Sequence, residues 1–412
     1  MEFLYGDGIH DDTKAIQERI DNAGCELILP APQAFYLISK PLELPSNFRL
    51  VLPRFAEVRL ADQSNCVMVR NRLPYDPDPS RLPEFSFDKN YLHNLSYVVD
   101  YSDAEPSVNI ELCGGIWNCN NQGQIPNPIY TGEPIPVKEF WGYGMLFYNV
   151  RNLKLSDLTL KDPTNFAVTL DTVSYFTVEN ITFDFNYGNP KPINMDGIHC
   201  NGNCHYGVIR NLKGACYDDL VALNADEGRG GPITHIEIDG LFAEECHSAV
   251  RLLAVRQKVE HIHISNVYGT YYQYCIGVTK FYPGPTTGGF DALSFDHIFA
   301  AKSPRHDYIY PNPDCAVYPL IYISGESVVK RLSMDHIHRR EHCVPIETIR
   351  VGTDTKVEQL ILSDIVTENH TDEPMPLLVN KGKIRKLVLT DVDAGADEKL
   401  LNIGSIEMLI ER

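Results

Sequence analysis

The sequence lacks any apolar run long enough to span a bilayer. Its first residues, MEFLYGDGIHDDT, have neither the basic nor the apolar stretch of a secretory leader. These absences predict a cytoplasmic protein without a membrane partner, unless a leader has been trimmed from this amino terminus. Cations are scarce: 36 Lys and Arg stand against 55 Asp and Glu, a formal net charge of −19. Phosphate backbones are held by clustered cations, so no nucleic-acid partner is expected. The eleven cysteines are odd in number and scattered, which suits reduced interior thiols rather than a disulfide framework. Low-complexity tracts are absent too, and a hydrophobic content of 43% is enough for a sizeable core. No motif implies a cofactor.

What is present is a repeat. A pattern of apolar, any, apolar, polar, small or polar, apolar returns as LKLSDL from Leu153, FTVENI from Phe176, GVIRNL from Gly207, IEIDGL from Ile236 and IHISNV from Ile262. It continues as LSFDHI from Leu293, LSMDHI from Leu332, LILSDI from Leu360 and LVLTDV from Leu387. Successive starts are 23, 31, 29, 26, 31, 39, 28 and 27 residues apart. Alternation with period 2 means a strand with one apolar face, and the polar-then-Asp/Asn/Gly/His step means a bend. Short strands at this spacing, without helices between them, describe a coiled solenoid. A β-sandwich would place strands at closer spacing with hairpin turns, and the leucine-rich-repeat signature is missing. The expected fold is therefore all-β: one domain over residues 1–412, a single-stranded right-handed parallel β-helix.

A solenoid needs its open apolar end covered. Residues 11–24 predict a capping helix, with Asp11 or Asp12 at its start, Ile16 and Ile20 as an i,i+4 apolar pair, and Gly24 at the C′ position. Two stretches break the rhythm as loop insertions, 71–103 and 281–314, and such loops build binding walls. Their tyrosines, and the cluster Tyr271, Tyr272 and Tyr274, serve equally well as sugar-stacking rings or as large β-formers.

The chemistry-bearing residues follow from the coil period. Residues one coil apart lie on neighbouring rungs about 4.8 Å apart. Asp196 and Asp218 are 22 residues apart, and Asp219 and His247 are 28 apart. The three acids and the histidine are thus expected on successive rungs of one face. Adjacent strand residues point to opposite faces, so Asp218 and Asp219 share a face only at a bend or bulge. His199, three residues after Asp196, is expected to face the substrate. The nearby thiols of HCNGNCH (His199–His205) do not have zinc-site spacing and read as stacked interior cysteines. No metal site is expected.

These segments carry a resemblance. NMDG (Asn194–Gly197), YDDLVALN (Tyr217–Asn224) and CHSAV (Cys246–Val250) are similar, in order, to the N-T-D-G, Q-D-D-C-x-A-x-N and G-H-G signatures of glycoside hydrolase family 28, the polygalacturonase family. DPTNFAVTLDTVSYFTVENITF before the first turn, GGIWNCNNQGQ (Gly114–Gln124) and GDGIHDDTKAIQ (Gly6–Gln17) are similar to family segments as well. The resemblance spans most of residues 1–285 and implies a pectin lyase-like solenoid performing inverting glycoside hydrolysis. By it, Asp218 is the general acid, Asp196 and Asp219 hold and deprotonate the attacking water, and His247 bonds to the acid. Asn194, His199, Arg251 and Lys280 are implied or expected substrate contacts. Clustered carboxylates and room for a water suit that chemistry independently of the family name.

The departures bear on the substrate. Where the family has an R-I-K strand that holds a galacturonate carboxylate, this chain reads CIGVTKF, with Thr279 and Phe281 at the two basic positions. Lys280 is one residue out of register, and Arg251 is the replacement cation. Tyr217 stands for Gln before the acid pair, and Ala249 for the second Gly of G-H-G. The expected partner is a pectin-related or other plant or microbial poly- or oligosaccharide. A polysaccharide lyase on the same fold, with Arg251 as the only well-placed base, is the enzymatic alternative. A non-catalytic glycan-binding or tailspike-like β-helix is the other.

Overall fold

The computed structural model describes residues 2–72, 105–126, 143–186, 194–304 and 317–412. Most of the first insertion, the later part of the second, and Tyr308 and Tyr310 lie outside these residues. The described chain is almost entirely short parallel strands with one α-helix, the right-handed parallel β-helix that the repeat predicts. Its contacts divide it into two compact units, Met1–Val208 with Glu227–Arg229, and Ile209–Asp226 with Gly230–Arg412.

In the first unit three sets of in-register residues face the interior. Leu50, Leu112, Leu155 and Val178 form one column, and Val69, Met145, Val168 and Ile198 a second. The third is Tyr36, Val58, Trp117, Leu160 and Phe183. All are buried, and each large side chain so removed from water contributes roughly 1.5–3 kcal/mol. The capping helix runs Thr13–Asn22 and buries Ile16 and Ile20 as predicted. Its start falls at the two expected acids, which divide the work between them. Asp12 occupies the cap position, but its carboxylate turns away to accept the Tyr5 and Gly6 amides. Asp11 instead accepts the Thr13 amide at 2.9 Å. The helix ends on extended Ala23, and Gly24 does not take the left-handed conformation foreseen for it.

The second unit shows what the repeat encodes. The first apolar position of each motif forms the column Ile236, Ile262, Leu293, Leu332, Leu360 and Leu387. The second forms Ile238, Ile264, Phe295, Met334, Leu362 and Leu389, and both columns are buried. Between second and third apolar positions the chain turns through positive φ at Gly240, Asn266, His297, His336, Asp364 and Asp391. That is why the motif always carries Gly, Asn, Asp or His there: these residues tolerate the left-handed region best.

Another interior column of this unit, Val221, Val250, Ile276, Ile321, Ile349 and Leu378, positions the candidate site. Asp219, Ser248 and Tyr274 are paired in register two residues before its first three members. Behind them lies a buried polar chain. Arg339, wholly buried, donates to Glu341 at 2.7 Å and to the Ile346 carbonyl at 2.7 Å. Glu341 also accepts the Lys302 amide at 3.1 Å, and the buried Lys302 ammonium donates to the carbonyls of Tyr272 and Gln273. Glu341 lies below the usual carboxyl range: burial raises it, but Arg339 and the Cys343 and Val344 amides outweigh that. Removing one member strands a buried charge. Glu341→Gln is expected to lower unfolding free energy by about 3–5 kcal/mol in urea titration, while Arg339→Met with Glu341→Leu costs less.

Candidate active site

Asp218 lies in a bend immediately before the strand Asp219–Asn224, and this bend resolves the problem of adjacent acids. His247 sits where the pairing of its strand with Lys258–Thr279 slips register, between Cys246 and Ser248. One irregularity on each strand therefore turns Asp218, Asp219 and His247 together, and one ligand atom from each lies within 4.8 Å of the others.

Each group has a distinct environment. The Asp219 side chain is 1% exposed; it accepts the Ser248 hydroxyl and lies 3.6 Å from Arg251 Nη1. Asp218, 12% exposed at its side chain, is the more accessible acid and has Oδ1 at 3.4 Å from His247 Nδ1. His247 packs edge-on against Tyr272, with centroids 5.1 Å apart. Burial first, then the charges of Arg251 and Lys302, depress its imidazole to about 3, so it is neutral where an exposed histidine would titrate. Arg251 also donates to Thr279 Oγ1 at 3.4 Å and stacks 4.9 Å over the Phe281 ring. Phe281 is 70% exposed, giving an apolar surface beside the cation.

Asp196 belongs to the first unit and has its own constellation. It sits in the turn before the strand Ile198–Asn201, 2.5 Å from His199 Nδ1. The other ring nitrogen, Nε2, is 3.0 Å from Glu227 Oε2 and 3.0 Å from Asn201 Oδ1. Phe166 stacks flat on the imidazole at 3.8 Å, with Tyr143 stacked on Phe166. Burial pulls the His199 imidazole down, but hydrogen bonds and charge from Asp196 and Glu227 outweigh it and raise the group to about 10. It is an imidazolium between two carboxylates. Asn201 passes the network on to Asp171 at 3.0 Å, where burial raises the carboxyl to about 6. Gly228, at φ +62°, fits here because a Cβ would fall 2.0 Å from Asp171 Oδ2.

Two expected substrate contacts take other positions. His199 is 1% exposed with both nitrogens engaged, so it holds Asp196 rather than reaching outward. The Lys280 side chain is largely covered and its ammonium pairs with Glu326, because a one-residue offset in a strand points it away from Arg251. Asn194 takes a left-handed turn conformation and donates to Asn165 Oδ1 at 3.0 Å. Sequence reading did not find Ser248, Glu227 or Asp171. Ser248 had a signal, lying one coil after Asp219; Glu227 follows no motif, and Asp171 lies in the segment before the N-x-D-G turn without a feature that marks it as a site. Cys200 and Cys204 are free and buried, as the thiol reading expected.

No protein-family model matches the chain, and no curated protein matches it. Solved structures do. An endo-xylogalacturonan hydrolase from Aspergillus tubingensis is 12% identical, with a TM-score of 0.54 over 98% of this chain and 94% of that one. The A-module of the Azotobacter vinelandii mannuronan C-5 epimerase AlgE4 is 10% identical, with a TM-score of 0.58 over 99% and 98%. PfbA, a surface adhesin of Streptococcus pneumoniae, is 13% identical, with a TM-score of 0.50 over 96% and 91%. The chain thus has the polygalacturonase-like parallel β-helix fold. At these identities the likeness concerns the fold alone.

The two histidines make opposite predictions. His199 has a folded pKa of about 10, above the roughly 6.5 of an exposed imidazole. Its contribution to stability is complete below the latter value and is lost as pH rises through the former. His247 has a folded pKa of about 3, so it destabilises the fold as pH falls from roughly 6.5 toward that value. Nitrogen NMR of the imidazoles at pH 7 is expected to show His199 doubly protonated and His247 neutral. Asp196→Asn with Glu227→Gln should leave His199 neutral.

Proposed function

We propose, from the premise of a polygalacturonase-like β-helix, that this chain is an inverting glycoside hydrolase acting on a pectin-related or other poly- or oligosaccharide. The observation that carries the reading is the convergence of Asp218, Asp219 and His247 at one end of a rigid strand column. Two carboxylates with different environments suit acid–base cleavage of a glycosidic bond; the inverting course rests on the motif order, since the nearest atoms of Asp218 and Asp219 lie within 4.8 Å, closer than the roughly 6.5–9.5 Å of inverting pairs. Asp218, the more exposed acid beside a neutral imidazole, protonates the leaving oxygen. Asp219, bonded by Ser248 and near Arg251, acts as a carboxylate toward the attacking water. The motif order keeps Asp196 as a further candidate carboxylate, paired in this structure with the His199 imidazolium.

The surroundings narrow the sugar. Arg251 faces Asp219, Thr279 and Phe281, and Lys280 faces Glu326. The two cations expected to hold the sugar thus already have partners, which argues for a residue of low charge, with Phe281 offering a ring for its apolar face. The same engagement of Arg251 disfavours the lyase reading, which needs a base ready to take a proton.

A panel of pectin-derived and neutral oligosaccharides tests this. Wild type is expected to release reducing sugar with inverted anomeric configuration, and Asp218→Asn to lower kcat by about 10²–10⁴. An unsaturated, ultraviolet-absorbing product would instead establish elimination, and binding without turnover would establish a glycan-binding protein. Phe281→Ala is expected to raise KM by roughly 2- to 10-fold with kcat nearly unchanged, matching about 0.5–1.5 kcal/mol of ring contact.

A further inference from the structure

The second unit carries a histidine–aspartate cluster remote in sequence from the acid pair. His297, His336 and Asp364 are turn residues of three successive coils, with φ of 54°, 51° and 48°. The repeat therefore stacks their side chains on the outside, where the two imidazoles lie 4.5 Å apart at 14°. Asp296 Oδ1 lies 2.8 Å from His297 Nδ1 and 3.3 Å from His336 Nδ1. Asp335 Oδ2 is 3.4 Å from the same His336 nitrogen. On the far side of that ring Asp364 Oδ2 is 3.4 Å from Nε2.

The carboxylates of this cluster outnumber its imidazoles. Three carboxylates surround two imidazoles, and no Lys or Arg pairs with Asp296, Asp335 or Asp364 among the described residues. With an Nε2 proton directed at Asp364, His336 presents its Nδ1 lone pair beside two carboxylate oxygens, a donor set that a divalent cation can bridge. A carboxylate on the far nitrogen is the arrangement that orients a metal-bound histidine. A second stacked pair, His342 and His370 at 4.5 Å, lacks this geometry. Its acid, Glu368, reaches only His370 of the two and is already paired with Arg340.

We propose that Asp296, His297 and His336 form a surface site for a borderline divalent transition metal such as Zn²⁺, with Asp335 beside it and Asp364 orienting His336. Two imidazole nitrogens with carboxylate oxygens are the donor set such ions prefer over Mg²⁺ or Ca²⁺. Because the ligands come from neighbouring coils, the ion ties those coils together.

Calorimetric titration of chelator-treated protein with Zn²⁺ alone tests the proposal. One equivalent should bind to wild type and to Asp218→Asn/Asp219→Asn, whose acids form the other candidate donor group. Binding should be lost in His297→Ala/His336→Ala, and Asp364→Asn should weaken it by about 10–100-fold. All of these cluster substitutions are at partly exposed turns, and circular dichroism will verify that the fold is retained. Absence of stoichiometric binding in wild type would overturn the site. Retention in the double-histidine variant, or loss in the acid-pair variant, would overturn it equally. Unchanged affinity in Asp364→Asn would overturn the orienting role.

Discussion

Each motif of the repeat turns through one left-handed backbone position, and in the second unit the columns of buried side chains depend on it. Six consecutive coils there place Gly, Asn, His, His, Asp and Asp at that position, all with positive φ. The turn re-aims the chain so that the next strand enters in register with the one before. A slip by one residue would exchange the buried face for the exposed one. Leucine and isoleucine columns then follow from simple alternation, and the same register brings polar residues of successive coils into stacks. The candidate active site and the histidine–aspartate cluster are both consequences of that stacking.

What distinguishes the active-site region is a local departure from regularity. An unbroken strand would split Asp218 from Asp219 across the sheet. The bend before Asp219 and the register slip around Cys246 and Ser248 bring both acids and His247 to one place. Irregularity of this kind holds only on a rigid support, and here the support is the buried Arg339–Glu341–Lys302 chain ending on the Tyr272 carbonyl. Buried ions of this type contribute little net stability, but they fix geometry because leaving any one unpaired is costly.

The two buried histidines show how burial and partners compete. Both are almost wholly removed from water, which alone favours the neutral ring. His247 has the cations Arg251 and Lys302 as charged neighbours and stays neutral. His199 has Asp196 and Glu227 at hydrogen-bond distance and becomes an imidazolium. Identical side chains thus take different protonation states within one chain, neutral at His247 and cationic at His199.

The fold was legible from the sequence because the coil repeat is a one-dimensional signal: apolar alternation and a turn residue can be read without knowing any contact. That Asp218, Asp219 and His247 come together was legible for the same reason, since coil spacing and motif order both mark them. The inward position of His199 was not, because nothing linear distinguishes a histidine that faces a sugar from one held between two carboxylates. Glu227 lay outside any motif, Asp171 lay unmarked within a segment read only for its resemblance, and the pairing of Lys280 with Glu326 joins residues 46 apart. Which of Asp11 and Asp12 bonds the helix was not legible either, because the Asp12 carboxylate accepts the Tyr5 and Gly6 amides and leaves the Thr13 amide to Asp11. The sequence by itself determined the period, the buried columns and the coil spacing of Asp218, Asp219 and His247, all of which depend on neighbours along the chain or one coil away. Only the tertiary structure decided which charges meet, since pairing and desolvation depend on distances that spacing does not contain.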